Sequence, residues 1–254
     1  MMIFDSGRQK IARAKRHAVE LDAFEQEFLR NECSGVVVEV DPATGDKIQK
    51  LKFTGPIPLE ASSIVSDAAN NLRDALDHAC NAVAVASGKS DPRYAVFPFA
   101  GSSADLENAI RGRSKDLPDE ILSLIRTFKP YKGGNEILVA LNSVANANKH
   151  GMLRPMARST GVVNMQIERV SGGHFGIPPG AFRWDSDKNE IIIARYGRDV
   201  KVDYNFQVQV FVAFDEATLK YGDPAVVILG GFAAEVTRII DAIEAESKRI
   251  GFIA

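Results

Sequence analysis

The chain has 254 residues, of which 45% are hydrophobic and 25% are charged, so its composition is that of a globular protein and excludes disordered and fibrous classes. Its 31 Lys and Arg residues against 33 Asp and Glu residues give a formal net charge of −2. This balance excludes the chain-wide positive field of strong non-specific nucleic-acid binders, so any nucleic-acid role needs a local site.

The N-terminal segment turns polar after four residues and lacks the apolar stretch of a signal peptide. The longest apolar run, 225–234, is shorter than the roughly 20 residues needed to cross a bilayer. Cys33 and Cys80 are the only cysteines, too few for a disulfide framework and without the CxxC spacing of zinc or redox sites. We therefore expect a soluble, cytoplasmic protein with no membrane association.

Five helices and one β-hairpin are predicted in the first part of the chain. Apolar residues at three- and four-residue steps indicate helices, and Gly88 and Gly151 stand where two of them end. The turn-forming residues 41–46 separate two β-prone runs, which indicates the hairpin. The helices are predicted over 8–30, 60–87, 103–111, 118–128 and 135–150, and the hairpin strands over 36–39 and 48–53.

The first helix carries its charges in an unusual order. Its first half is basic and its second half is acidic, which opposes the preference of the helix macrodipole. Packing rather than capping must therefore hold this helix. We interpret the charges as a solvated face, with a binding patch as the alternative. The basic residues are Arg8, Lys10, Arg13, Lys15 and Arg16, and the acidic residues are Glu20, Asp22, Glu25 and Glu27.

After residue 151 the hydrophobic pattern changes to a period of two. Runs near 163–168, 191–194 and 205–214 predict strands with one solvated face, which is typical of antiparallel sheets. A final helix is predicted from 224 to about 250. Because helices and strands do not alternate as βαβ units, the fold class is α+β, with a helical bundle, a hairpin, an antiparallel sheet and a C-terminal helix. We expect one domain with two lobes, about 1–150 and 151–254.

The helix over 60–87 contains the densest group of polar residues in the chain. Five of them follow spacings of four, three, four and three, so they form one stripe beside an apolar face. They are Asp67, Asn71, Asp74, His78 and Asn81. Structural pairing within the helix is one interpretation, because Arg73 can pair with Asp77 and His78 with Asp74 one turn away.

A second polar stripe ends the helix over 135–150. Asn142, Asn146, Lys149 and His150 share its face, and His150 lies in the last turn, where unpaired carbonyls favour a charged imidazolium. If the two helices are neighbours, as successive elements usually are, the stripes meet in one polar junction. We predict that this junction is a binding site. Its candidate residues are Asn71, Asp74, Asn146, Lys149 and His150.

Three segments of the chain resemble a family of bacterial and phage proteins whose members carry GDxLxNLRxxLDH and DKHR signatures. The segments are 67–78, with Asn71-Leu72-Arg73 and Leu76-Asp77-His78; 130–135; and 146–150. The resemblance covers roughly residues 10–160. Ser66 stands in place of the family's Gly, Asn148 in place of its Asp, and Gly151 in place of its Arg. The resemblance supports the fold but implies no activity.

The spacing of Arg73 and His78 also resembles the Arg-x4–6-His motif of HEPN (higher eukaryotes and prokaryotes nucleotide-binding) domains. That resemblance implies a helical dimer that cleaves RNA without metal. Arg73 would hold the scissile phosphate, and His78 would be the general acid or base on the ribose 2′-hydroxyl. However, five residues place the two side chains about 140° apart around a helix.

The chain contains no P-loop, dinucleotide-binding, zinc-protease or nucleophile-elbow motif, and we predict neither a cofactor nor a metal site. Our first hypothesis is a non-catalytic or regulatory interaction module built around the polar junction and dimeric through helical faces. The alternative is a HEPN-like ribonuclease or nucleotide-binding protein, with Arg73 and His78 as catalytic residues. The expected partners are a second copy and either RNA or a small anionic ligand.

Overall fold

The computed structural model describes residues 3–150, 155–159, 164–179, 181–182, 184–207, 210–214 and 223–253. Within these residues the chain forms six helices and nine strands. The helices are α1 (Asp5–Glu32), α2 (Glu60–Ala86), α3 (Leu106–Arg113), α4 (Asp119–Thr127), α5 (Glu136–His150) and α6 (Ala225–Arg249). The strands are β1 (Cys33–Val40), β2 (Lys47–Phe53), β3 (Pro155–Ser159), β4 (Asn164–Ser171), β5 (Phe175–Gly176), β6 (Trp184–Asp185), β7 (Glu190–Tyr196), β8 (Lys201–Gln207) and β9 (Val210–Phe214).

The α+β fold class is confirmed. All six helices and the hairpin lie where the hydrophobic pattern predicts them, with ends that shift by a few residues. Three of these elements, α1, β1 and α3, begin three residues from the predicted start. In α3, which begins at Leu106 rather than 103, the reason is that residues 102–105 form a turn in which the Ser102 hydroxyl donates to the Asp105 carboxylate at 2.7 Å. The alternating run 205–214 falls in two strands, β8 and β9, which pair with β4 and β3 respectively.

The main sheet contains strands from both halves of the chain. Its order is β1-β2-β7-β5, with β6 also paired to β7, and every pair is antiparallel. Val37 lies opposite Lys50, and Ile48 lies opposite Arg195, so β2 joins the hairpin to the second half. Two smaller two-stranded antiparallel sheets, β3-β9 and β4-β8, complete the described strands.

The hydrophobic core lies where α1, α2 and α6 pack together. The apolar stripes of the three helices face inward, and Leu21, Leu72, Leu76, Ile239 and Ile240 are each buried completely. Burial of side chains of this size contributes roughly 1.5–3 kcal/mol each. The final helix therefore returns onto the first two.

A row of aromatic rings connects α1 to the main sheet. The ring centroids of Phe24 and Phe28 are 6.5 Å apart, and those of Phe28 and Phe53 are 5.8 Å apart. Phe53 on β2 then makes an edge contact with Trp184 on β6 at 5.1 Å. The hairpin and β6 are thus anchored to the same helix. In the part of the chain described, no helix has both the length and the apolar character of a membrane span.

Candidate functional site

The helices α2 and α5 are joined by a hydrogen bond between Arg73 and Asn146. The Arg73 guanidinium donates from Nη1 to Asn146 Oδ1 at 2.7 Å. Asn146 Nδ2 in turn donates to Asn142 Oδ1, one turn back along α5, at 3.2 Å. The two predicted polar stripes therefore come from neighbouring helices, and Arg73, at the margin of the first stripe, makes the contact.

The direction of these hydrogen bonds follows from the chemistry of Arg73. A guanidinium has only donors, so Asn146 must turn its carbonyl oxygen toward it. Its amide nitrogen then faces Asn142, which must also present its oxygen. This leaves the amide nitrogen of Asn142 without an acceptor among the described residues. In this row of three side chains both amide oxygens already accept a hydrogen bond, while a donor is left over at Asn142. The site therefore suits a ligand that accepts hydrogen bonds.

A surface cavity of about 640 Å³ opens beside this contact. Two of its lining residues are arginines, and none of those the structure describes is acidic. The second arginine, Arg113, is at the exposed end of α3, and its guanidinium makes no hydrogen bond or ion pair with any described residue. The lining residues are Arg73, Phe99, Ala100, Gly101, Arg113, Asn142 and Asn146.

The loop segment 94–101 fixes the other walls of the cavity. Val96 N–H donates to the Arg113 carbonyl at 3.0 Å, and the buried Ser114 hydroxyl donates to the Val96 carbonyl at 2.6 Å, which ties the end of α3 to this segment. The Phe99 ring centroid lies 5.6 Å from the Arg73 guanidinium carbon, a cation–π contact. Ala100 N–H donates to the Pro130 carbonyl at 3.0 Å.

The two carboxylates beside the lining residues are already engaged. Asp77 Oδ1 accepts a hydrogen bond from the Phe97 N–H at 2.8 Å, and Asp105 accepts one from the Ser102 hydroxyl at 2.7 Å. Burial raises the pKa of Asp77, although the Phe97 N–H and the charge of Arg73 act in the opposite direction. Asp77 thus anchors the 94–101 segment to α2 from behind the cavity.

Three predicted site residues lie away from this cavity. Asn71 donates its side-chain amide to the Asp67 carbonyl at 2.7 Å, and Asp74 pairs with Lys10 of α1 at 2.8 Å. His78 is exposed and lines a separate cavity of about 620 Å³ near the start of α1. The pairs expected within α2, Arg73 with Asp77 and His78 with Asp74, do not form among the described side chains.

The separation of Arg73 and His78 follows from helix geometry. Because the two residues are about 140° apart around α2, α5 covers one of them while the N-terminal end of α1 lies near the other. Lys149 and His150 occupy the last turn of α5, beyond Asn146, but their side chains lie outside the described residues. Of the predicted site residues, the structure thus brings Arg73 and Asn146 together.

Three of the lining residues, Arg113, Phe99 and Gly101, were not among the candidate site residues predicted from the sequence. A signal for Arg113 was present, because Arg111-Gly112-Arg113 is a short basic run at the end of a predicted helix. Phe99 and Gly101 belong to a segment without hydrophobic periodicity, which gives no indication of its neighbours. No group of three or more His, Cys, Asp or Glu side chains that would suit a metal ion occurs in the described part of the chain.

Comparison with known proteins returns no family model, no curated protein and no solved structure that matches this chain. Both resemblances, to the bacterial and phage family and to HEPN domains, therefore stay predictions.

Proposed function

We propose that this chain is a non-catalytic binding module that takes a small ligand bearing a phosphate or carboxylate group in the cavity beside Arg73. The main support for this proposal is that donors meet at a cavity whose lining contains no acidic residue among those described. Arg73 and Arg113 supply two positive charges, and the amide nitrogen of Asn142 has no acceptor among the described residues.

Arg73 is held in place before any ligand arrives. Its hydrogen bond to Asn146 and its contact with the Phe99 ring fix the guanidinium, so little rotamer entropy is lost when an anion binds. Arginine also binds the oxygens of phosphate and carboxylate groups in pairs, through hydrogen bonds about twice as strong as neutral ones. Arg113 adds a second positive charge to the lining of the cavity.

The size of the cavity favours an organic anion. Its volume of about 640 Å³ lies within the range of roughly 300–1,000 Å³ that is common for small-molecule sites. A bare ion would leave most of this space to water. We therefore expect a metabolite-sized phosphate ester or carboxylate.

The geometry supports binding rather than RNA cleavage. A general acid–base catalyst must reach the proton that it transfers, within hydrogen-bond distance or through one water. Arg73 and His78 line different cavities, so His78 does not face a phosphate held by Arg73. If the chain cleaved RNA, incubation with labelled RNA in EDTA would yield 2′,3′-cyclic ends that vanish in both Arg73→Ala and His78→Ala.

The test is calorimetric titration with inorganic phosphate and with glycerol 2-phosphate. We expect both anions to bind. Arg113→Ala should weaken their binding at least tenfold, about 1.4 kcal/mol, because it removes one of the two positive charges that line the cavity. Arg113 is exposed and its side chain makes no hydrogen bond or ion pair with the described residues, so its removal should not affect folding.

Arg93→Ala is the matched control, since Arg93 is an exposed arginine that lines the second cavity. It should leave the affinity unchanged. An equal loss of affinity in both variants would mean that the anions bind non-specifically and would contradict the proposal.

A further inference from the structure

The solvent-facing side of α1 carries several charged side chains that make no ion pair with the described residues. On the inner margin of the helix, Arg8 pairs with Asp241 and Glu244 of α6, and Lys10 pairs with Asp74 of α2. Farther out, the exposed side chains of Arg13, Lys15 and Arg16 make no ion pair with any residue that the structure describes.

Two acidic side chains of this face also make no ion pair with the described residues. Asp22 and Glu27 are exposed one and two turns beyond Val19, and Glu27 makes no ion pair within the described part of the chain. Asp22 accepts a hydrogen bond from Gln26 at 2.9 Å, and Glu20 Oε2 lies 2.9 Å from His17 Nδ1. The exposed face of α1 thus carries a basic half and an acidic half, and among the described residues only Glu20 of this face has a basic partner.

Repulsion within the basic half weakens the helix by itself. Arg13 and Arg16 are three residues apart and therefore repel each other across one turn. The ends of α1 do not add to this effect, because Asp5 in the first turn and Arg30 in the last turn both suit the macrodipole. Counter-charges from outside the chain would offset the repulsion. Ala12, Val19 and Ala23 are small exposed residues on the same face, and Val19, which lies between the two halves, is 71% exposed.

We infer that this face of α1, from Ala12 to Glu27, binds the same face of a second copy in antiparallel orientation. A two-fold axis near Val19 places Arg16 of each copy opposite Asp22 of the other, since both lie three residues from Val19. The same axis brings Lys15 of each copy, four residues before Val19, toward the acidic half of the partner helix, which carries Asp22 and Glu27. A symmetric pair of this kind is self-complementary, which a parallel pair is not.

The chemistry of the face also predicts how strong the dimer is. Exposed ion pairs stabilise little individually and are screened by salt, and one helix pair buries less surface than most permanent interfaces. The dimer should therefore be weak and should dissociate as ionic strength rises. This surface is separate from the cavity beside Arg73, so the inference does not depend on the proposed function.

The first test is sedimentation equilibrium of the full chain at two ionic strengths. At about 0.01 M the screening length is about 30 Å, and at about 1 M it is about 3 Å. We expect a concentration-dependent dimer at the lower ionic strength and at least a tenfold larger dissociation constant at the higher one. A monomer under both conditions would overturn the inference.

Charge exchange gives the second test. Lys15→Glu with Arg16→Glu makes the face acidic apart from Arg13, and Asp22→Lys with Glu27→Lys makes its acidic half basic. Each double variant should be monomeric, because like charges then face each other. Their equimolar mixture should form a heterodimer, and the chain that carries all four changes should form a homodimer again.

All four positions are exposed, and circular dichroism of each variant checks that folding is intact. Dimers that persist in both double variants would overturn the inference. So would folded double variants that fail to associate when they are mixed.

Discussion

At the scale of single residues, Arg73 determines the character of the candidate site. Its guanidinium donates to Asn146 of α5, lies over the Phe99 ring and exerts an attractive field on Asp77. Because a guanidinium has no hydrogen-bond acceptor, Asn146 must turn its oxygen toward Arg73 and its nitrogen toward Asn142. Arg73 thus sets the orientation of both asparagine amides. One side chain thereby turns a polar contact between helices into a cluster of donors.

The ion pairs of Glu39 should make the stability of the protein depend on pH. Lys50 donates to Glu39 at 2.6 Å and Lys52 also donates to it, and these hydrogen bonds lower the pKa of Glu39 from 4.5 to about 2. A carboxyl with a lowered folded-state pKa contributes stability that is present above its unfolded pKa and is lost as the pH falls through its folded pKa. The window here is pH 4.5 to about 2.

We predict that Glu39→Gln destabilises the protein at about pH 6 and makes it less sensitive to acid. The loss should be below about 1 kcal/mol, because Glu39 is 41% exposed and water screens its ion pairs. Urea denaturation at about pH 6 and at several lower values measures both effects. Parallel curves for the variant and the native chain from pH 6 to 2 would show that Glu39 is not responsible.

At the scale of elements, the loop before α5 positions Asn142 and Asn146. In this loop Gly134 packs so closely that an added Cβ would lie 2.5 Å from the Lys129 carbonyl oxygen and 2.9 Å from the Tyr131 ring. The same carbonyl accepts the Asn135 N–H at 2.9 Å, immediately before α5 begins. A side chain at position 134 must therefore move the backbone that starts the helix.

We predict that Gly134→Ala destabilises the protein by roughly 1–3 kcal/mol, the usual cost of overpacking. Gly112→Ala is the control, since a Cβ at Gly112 meets nothing within 4 Å, and alanine in a helix should stabilise by about 0.5–1 kcal/mol. Thermal unfolding compares the two. A melting temperature for Gly134→Ala at or above that of the native chain would contradict the close packing.

Most elements could be predicted because their signals are local. Gly88 ends α2 with a φ of +96°, a value that glycine adopts readily, and Pro224 directly precedes α6. The turn at 102–105 was missed because its hydrogen bond between Ser102 and Asp105 leaves no periodic trace in the sequence. Local signals therefore define most helices and strands but not every boundary.

At the scale of the whole molecule, the cavity combines four separate segments, which carry Arg73, Phe99, Arg113 and the two asparagines of α5. The polar stripes of α2 and α5 were expected to face each other if these helices are neighbours; the helices do meet, but through Arg73, which is not part of the α2 stripe. No spacing within the chain could place Arg113 there, because its position depends on hydrogen bonds between the end of α3 and Val96. The sequence likewise does not reveal that His78 faces another cavity.

If the donors beside Arg73 bind an anion, as we propose, Asn146→Asp should weaken that binding. The change preserves shape and the contact with Arg73, but it places a carboxylate in the cavity and turns the Asn142 amide toward it. Asn81→Asp, beside the second cavity, changes the net charge equally and is the control. In calorimetric titration with glycerol 2-phosphate, we predict at least a tenfold loss of affinity for Asn146→Asp and none for Asn81→Asp; undiminished affinity in a folded Asn146→Asp variant would contradict the claim.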